Sequence, residues 1–203
     1  EACLVGSEMC IRDRSNAARK ILSMATLKRI EKKVDSFTGP WQCAYKRGRS
    51  CADIVWCQRV LLSVVQRKRW EYHRMGIDMS SAFDTIRRTS ILELLVKCGC
   101  DDDEVRLVRL LLSNTKLRVN VNGTMSVEFQ SFLGAFQGDC LSGFLFTIVL
   151  AGALCDLRIR LVIEIDRPNP PITELGLPLD TEYADDVDFN DEEEENLRTL
   201  LPM

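Results

Sequence analysis

Residues 181–189, TEYADDVDF, place two adjacent aspartates, Asp185 and Asp186, inside a run of β-formers that includes Tyr183, Val187 and Phe189. Aspartate is normally depleted from strands. It suits turns, so Ala184-Asp185-Asp186 reads as the tip of a hairpin. A turn alone does not require two neighbouring carboxylates. The alternative is that the tip holds a cation, which needs more oxygen ligands from elsewhere in the chain.

A chain of 203 residues with 46% hydrophobic and 28% charged residues has the composition of one globular domain, or one domain with part of another. The net charge of −3 hides a division. Residues 1–75 hold 16 Lys/Arg against 7 Asp/Glu, and residues 76–203 hold 11 against 23. Such a split suits a chain that grips a polyanion with one part and gathers cations with another, or simply two differently solvated surfaces. The nine cysteines are irregularly spaced, no C-x-x-C occurs, and the sole histidine is His73. These features argue against zinc and against a disulfide framework, and for reduced thiols inside a cell. The longest uncharged run, residues 140–155, is shorter than a membrane span and reads as a buried helix. The N-terminus lacks the order of a signal peptide.

Residues 1–14 show no period and read as a non-native, artefactual segment. Ser15 or Asn16 can cap a helix with apolar positions Ala17, Ile21, Met24, Leu27, Ile30 and Val34. A second helix starts near Ser50, with Ser50 and Asp53 as a capping box, and runs through Ile54, Val55, Leu61, Leu62 and Val65. A strand leads through Met75-Gly76-Ile77 into Asp78, and a helix pair follows, the first closing on Gly99. Alternation on both sides of Asn122-Gly123 marks a hairpin. Ser142 can cap an apolar helix through Leu157, short strands are expected near 161–165 and 177–189, and the acidic run 191–196 suits a helix start. Strands mixed with helices and a hairpin give an α+β class with a largely antiparallel sheet.

Three further blocks accompany the aspartate pair. GIDMSSAFD, residues 76–84, puts Asp78 at the end of an apolar strand, and GAFQGDCLSG, residues 134–143, is a Gly-rich turn opening a buried helix. CAYKRGRSCADIV, residues 43–55, precedes both. Together with YADD these blocks resemble, in order and type, the fingers and palm motifs of reverse transcriptases, most closely those of non-LTR (LINE-like) retrotransposons. The resemblance implies a right-hand polymerase palm, a ferredoxin-like antiparallel sheet with packed helices, plus partial helical fingers and no thumb. Residues 15–70 would be partial fingers and residues 71–203 mainly palm.

The implied activity is RNA-directed DNA polymerisation, with an RNA template, a DNA primer and deoxynucleoside triphosphates as partners and no membrane. In-line attack of a 3′-hydroxyl on an α-phosphate is served by two Mg²⁺ ions, with Mn²⁺ as a substitute. Asp78, Asp185 and Asp186 are the implied catalytic and metal-binding residues, and three like charges so close call for cations between them. Phe83 matches the bulky residue that excludes a ribose 2′-hydroxyl, and it also suits an ordinary core position. Ser80, Ser81 and Ala82, with backbone amides able to form an anion nest, and Gln137 and Gly138 match nucleotide-binding positions. Lys46 and Arg49 match basic fingers positions, as phosphate contacts or as a solvated loop. Asp84 is expected to cap a helix, and Tyr183 to pack beneath the turn.

The chain departs from the family pattern at Gly143, where a proline is usual. The first fingers block, the primer grip and the thumb are expected to be missing, so weak nucleic-acid binding and little polymerisation are expected. The alternative is a catalytically inactive, nucleic-acid-binding remnant of a decayed retroelement. A viral RNA-dependent RNA polymerase is disfavoured by Ala184, where those enzymes usually carry glycine, and intron maturases share the same blocks. The resemblance implies an intracellular protein, made in the cytoplasm and acting in the nucleus.

Overall fold

The computed structural model describes residues 3–5, 8–10, 17–79, 82–121, 123–136, 138–165, 180–191 and 194–198. In chain order the elements begin with β1 (Cys3–Val5), β2 (Glu8–Cys10), α1 (Ala17–Phe37), α2 (Cys51–Lys68), β3 (His73–Asp78) and α3 (Ala82–Thr85). They continue with α4 (Arg88–Lys97), α5 (Asp102–Leu112), β4 (Thr115–Leu117), β5 (Asn120–Val121), β6 (Thr124–Met125) and β7 (Phe129–Ser131). The last are α6 (Cys140–Ile165), β8 (Asp180–Tyr183), β9 (Asp186–Asp191) and α7 (Glu194–Arg198). Helices and wholly antiparallel ladders give the α+β class that was expected. Two compact, discontinuous units share these elements: Glu1–Phe37 with Ser81–Val149, and Thr38–Ser80 with Leu150–Met203.

In the first unit α1 and α4 pack on α5. Helix α5 is set by its start: Asp101 Oδ1 accepts from Glu104 N at 2.9 Å while Asp101 N donates to Glu104 Oε2 at 3.0 Å, a reciprocal capping box. Val105, Val108, Leu111 and Leu112 then fall on one buried face. Helix α1 corrects the sequence expectation. Ile30 and Val34 are buried, but Ile21 is 70% and Met24 52% exposed, and Ser23 and Thr26 line the buried face instead. Polar residues are tolerated there because each is bonded: Ser23 Oγ donates to Asp139 Oδ2 at 2.9 Å and Thr26 Oγ1 to Leu22 O at 2.8 Å.

The expected hairpin is present in two ladders, β5 with β6 and β4 with β7. Arg118-Val119 on one side face Ser126-Val127-Glu128 on the other, an extra residue that breaks the register as a bulge does. Arg88 ties the base of this arm: its guanidinium donates to the carbonyls of Leu112, Ser131, Leu133 and Gly134 at 2.7–3.0 Å.

Helix α6 also differs from expectation. Asp139, not Ser142, precedes its first turn and accepts from Leu141 N at 3.3 Å, while Ser142 lies buried within the helix. The strand expected at 161–165 is instead the C-terminal part of this 26-residue helix. The stretch Cys140–Leu157 is long and apolar enough to cross a membrane by length and composition, contrary to the sequence estimate. Leu141, Phe144, Leu145, Phe146 and Ile148 are nevertheless buried in the first unit.

The second unit is built on the sheet β3-β9-β8. One face carries Ile77, Val187 and Phe189, which line a cavity of about 390 Å³ with Leu150 and Leu154 of α6. Helix α2 packs against β8, and α7 against β9 and β3. Ser50 N donates to Asp53 Oδ2 at 2.7 Å, the expected start of α2. Its buried stripe is Cys57, Leu61 and Val65, whereas Val55 and Leu62 are 48% and 45% exposed, so the face is turned from that expected. Strands expected from residue 177 are described from Asp180 onward; residues 177–179 lie outside the described residues. Residues 1–14, read as artefactual, include the β1–β2 backbone ladder.

Gly134, with φ +77, lies against the backbone of residues 83 and 84. A Cβ there would lie 2.9 Å from Asp84 Cα, Asp84 O and Phe83 O, all backbone atoms with little room to move. Gly134→Ala is expected to cost about 2–4 kcal/mol by combining left-handed strain with overpacking. A urea midpoint unchanged from the native chain would contradict this close approach.

Candidate active site

The aspartates come together through strand register. In β3 and β9 the cross-strand partners run from His73 with Asp191 to Ile77 with Val187 and Asp78 with Asp186. Directly opposed residues have Cβ atoms about 4.5–5.5 Å apart. Asp78 and Asp186 are therefore neighbours on the exposed end of one sheet face, although 108 residues separate them in sequence. Tyr183 pairs with Asp186 on the other side, and Ala184-Asp185 make the two-residue turn between β8 and β9.

Further along the same face, Gly76 opposes Asp188, and Arg74 reaches that carboxylate with Nε 3.0 Å from Oδ1 and Nη2 2.5 Å from Oδ2. The Asp188 hydrogen bond holds the Arg74 pKa above its ordinary value. Asp188 is thus committed to a guanidinium, while Asp78 and Asp186 stand at the open end. Among the described residues no group of three His, Cys, Asp or Glu side chains is gathered closely enough to hold a metal ion. The arrangement is a pair in register with a third carboxylate on the adjoining turn.

The segment carrying Lys46 and Arg49 is held beside this sheet by the edge of β8. Gln42 forms a parallel bridge with Glu182: Glu182 N donates to Trp41 O at 3.2 Å and Cys43 N to Glu182 O at 3.0 Å. The fully buried Gln42 adds a side-chain bond, Nε2 to Glu182 Oε2 at 3.2 Å. This docking brings Tyr45 near the turn. Burial raises the Tyr45 pKa, and the charges of Asp185 and Tyr183 add to the shift. The Lys46 amine donates to Gly39 O, whereas Arg49 is exposed and lines a separate cleft. Tyr183, expected to pack beneath the turn, is 38% exposed.

The remaining sequence candidates fall in the first unit or outside the described residues. Ser80, Ser81 and Gln137 lie outside them. Ala82 is buried, and Phe83 stacks on Phe146 with ring centroids 5.0 Å apart and planes at 30°, as a packed aromatic pair does. Asp84 sits exposed within the single-turn α3 and does not precede it as a cap would. Gly138 has φ +89, a left-handed conformation that favours glycine.

Just after Gly138, Asp139 is clamped by Arg19 Nε at 3.3 Å and Ser23 Oγ at 2.9 Å, and the Arg19 guanidinium lies 4.2 Å from the Phe136 ring centroid. Sequence reasoning missed this clamp, the Arg74–Asp188 pair and the Gln42–Glu182 bridge. Each joins residues at least 114 positions apart, and none has a local signature.

The turn itself is strained. Ala184 has φ +55, which costs a residue with a Cβ about 1–2 kcal/mol. Ala184→Gly should leave stability unchanged or raise it by up to about 1 kcal/mol, the relief being offset by glycine's chain entropy. Ala184→Val, β-branched in the same conformation, should lower it by more than about 1 kcal/mol. Urea unfolding of the two variants checks this; valine and glycine behaving alike would contradict the strained turn.

The geometry is consistent with comparisons to other proteins. The chain is 28% identical over 145 residues to the Retrovirus-related Pol polyprotein from type-1 retrotransposable element R2 of Popillia japonica, covering 71% of this chain and 20% of that protein. It is 24% identical over 169 residues to the Transposon TX1 uncharacterized 149 kDa protein of Xenopus laevis, covering 83% and 12%. The chain thus spans about a fifth or less of the length of these relatives. Among solved structures, apo telomerase from Candida tropicalis, truncated from its C-terminal domain, is similar with a TM-score of 0.61 at 13% identity, covering 93% of this chain and 40% of that one. Telomerase from Candida albicans in complex with a TWJ fragment of telomeric RNA is similar with a TM-score of 0.56 at 11% identity, covering 90% and 31%. At these identities the likeness is one of fold, and it is to the right-hand polymerase fold expected from the motifs. The similarity to R2 polyproteins supports the non-LTR assignment. Residues 13–203 match the reverse transcriptase (RNA-dependent DNA polymerase) family, and the chain belongs to it.

Proposed function

We propose that the chain supplies the nucleotidyl-transfer centre of an RNA-directed DNA polymerase encoded by a retrotransposon. The observation that carries this reading is the register pairing of Asp78 with Asp186, with Asp185 on the adjoining turn. In this reading residues 15–70 contribute to the fingers and residues 71–203 mainly to the palm. The partners are an RNA template, a DNA primer and deoxynucleoside triphosphates. The protein is made in the cytoplasm and acts on DNA in the nucleus.

Reverse transcriptases generally use divalent metal. The donor set suits Mg²⁺, a hard cation that takes carboxylate oxygens and keeps several waters, with Mn²⁺ as a substitute. Asp78, Asp185 and Asp186 are not gathered around a common point in the described arrangement and would have to draw together to hold two such ions, which would lower the pKa of the attacking 3′-hydroxyl and stabilise the departing pyrophosphate. The chain's own part is placement. The strand pair holds two carboxylates side by side, and the Arg74–Asp188 pair keeps a third acid on that face out of competition. Lys46 and Arg49 contribute positive charge toward phosphates, and Ser80, Ser81, Ala82, Gln137 and Gly138 contribute to the nucleotide site.

Primer extension on an RNA template with Mg²⁺ and deoxynucleotides, comparing the chain with an Asp185→Asn, Asp186→Asn variant, tests the catalytic assignment. Little extension by the chain, and none by the variant, is the expected result; robust extension by the chain that disappears in the variant would show it to be self-sufficient. RNA binding without extension in either protein would favour the inactive remnant. Equal extension in both would remove the aspartates from the mechanism.

Phe83 carries a separate expectation. If its ring excludes a 2′-hydroxyl, Phe83→Ala in a polymerase with complete fingers and thumb raises ribonucleotide incorporation relative to deoxynucleotide by about tenfold or more. A ratio that stays constant would leave Phe83 with only its stacking on Phe146.

A further inference from the structure

Helix α2 presents an aromatic surface that the fold does not use. Trp70 packs on Leu61 and Val65 in the core of the second unit, but Trp56 is 69% exposed and Val55 beside it 48%. Trp56 forms one wall of a cleft of about 200 Å³, with Trp41, Ile54, Val60 and Arg49 also lining it. The Arg49 guanidinium makes no hydrogen bond or ion pair with any described residue. The cleft's one acid, Asp53, is occupied by the helix start, accepting from Ser50 N at 2.7 Å. Along the sequence, residues 46–69, which include part of the cleft lining and the rest of α2, hold seven Lys/Arg against that single aspartate.

We propose that this cleft binds one base of a single-stranded nucleic acid, stacked against Trp56, with an adjoining phosphate on Arg49. The inference rests on the nucleic-acid partners of the proposed function and adds to them a base-binding cleft that Asp78, Asp185 and Asp186 do not line. Charge complementarity selects the occupant. A stripe this basic attracts a polyanion, and an indole face accepts any base because every base has a π-face. Stacking on an exposed indole needs a base with a free face, which an unpaired strand offers and a stacked duplex does not. Trp41, held in place by the bond from Glu182 N to its carbonyl, forms a fixed second wall. Stacking and charge then divide the work: the tryptophan contributes affinity that salt does not screen, and the arginine contributes affinity that it does.

Fluorescence anisotropy of a labelled 12-nucleotide homopolymeric RNA, titrated with the 203-residue chain at several salt concentrations, tests the site. Trp56→Ala should weaken binding by roughly tenfold or more with the salt slope unchanged. Trp56→Phe should restore most of the affinity. Arg49→Gln should lower the salt slope by about 0.7, one single-strand phosphate contact. Binding by Trp56→Ala equal to that of the native chain would overturn the site while leaving the nucleic-acid reading intact. Failure of the native chain to bind either the RNA or its duplex at low salt would overturn both. A shifted melting curve, or dissolution of an oligomer, in Trp56→Ala would make this face a packing surface or a contact between copies, and would equally overturn the proposal.

Discussion

The register of β3 against β9 is the constraint on which the candidate site depends. Side chains alternate across a strand with a period of two, so a slip of one residue would carry Asp78 to the opposite face from Asp186 and turn Ile77 outward. The apolar face prevents that slip. Val187 and Phe189 are buried on it, and together with Ile77 they face the α6 residues Leu150 and Leu154. Burying side chains of this size contributes about 1.5–3 kcal/mol each, far more than the exposed carboxylates could recover by another pairing. The aspartates are thus placed by the hydrophobic residues between them, not by any attraction of their own.

Around this pair the sheet face is organised by charge and by backbone edges. Arg74 engages Asp188 across Gly76, a position where a Cβ would meet Asp188 Oδ1 at 3.2 Å. On the other edge β8 gains a partial fourth partner in residues 41–43, which satisfies both backbone groups of Glu182. That edge would otherwise present unpaired backbone groups. Its covering carries Tyr45 to the neighbourhood of Asp185. Strain is also present here: among the described residues, Tyr45 and Ala184 are two of the four non-glycine residues with positive φ. Such strain persists only where surrounding structure over-determines the backbone.

The first unit reaches rigidity by a different route, through arginines that bond to backbone or buried acid. Arg88 gathers carbonyls from α5, β7 and the loop after it, and Arg19 spans from Leu111 O to Asp139. Burial lowers the Arg88 pKa, with the Arg19 charge adding to the shift. A guanidinium remains charged nonetheless and offers five donors in a fixed fork, so one side chain can tie several loops at once. These links hold the loop that includes Gly134 and Gly138, both with positive φ. The same Gly-rich block that marks the family in sequence is therefore also a place where backbones approach closely.

Local chemistry was legible in the sequence wherever one segment suffices to express it. The capping box at Ser50, the turn at Gly123, the hairpin at Ala184-Asp185 and the family blocks could all be read along the chain, because each depends on residues a few positions apart. Which face of a helix is buried was not. The α1 stripe turns toward Ser23 and Thr26 because Asp139, 116 residues from Ser23, offers a partner that makes a polar face cheap to bury. Residues 161–165 are rich in β-branched side chains and suggested a strand, yet they continue α6, tertiary context overriding a weak propensity. Sequence by itself determined that this chain carries the ordered blocks of the reverse transcriptase family, with Asp78, Asp185 and Asp186 in them. Tertiary structure alone decided which of them are neighbours, since the pairing of Asp78 with Asp186 and the diversion of Asp188 to Arg74 exist only once β3 and β9 lie side by side.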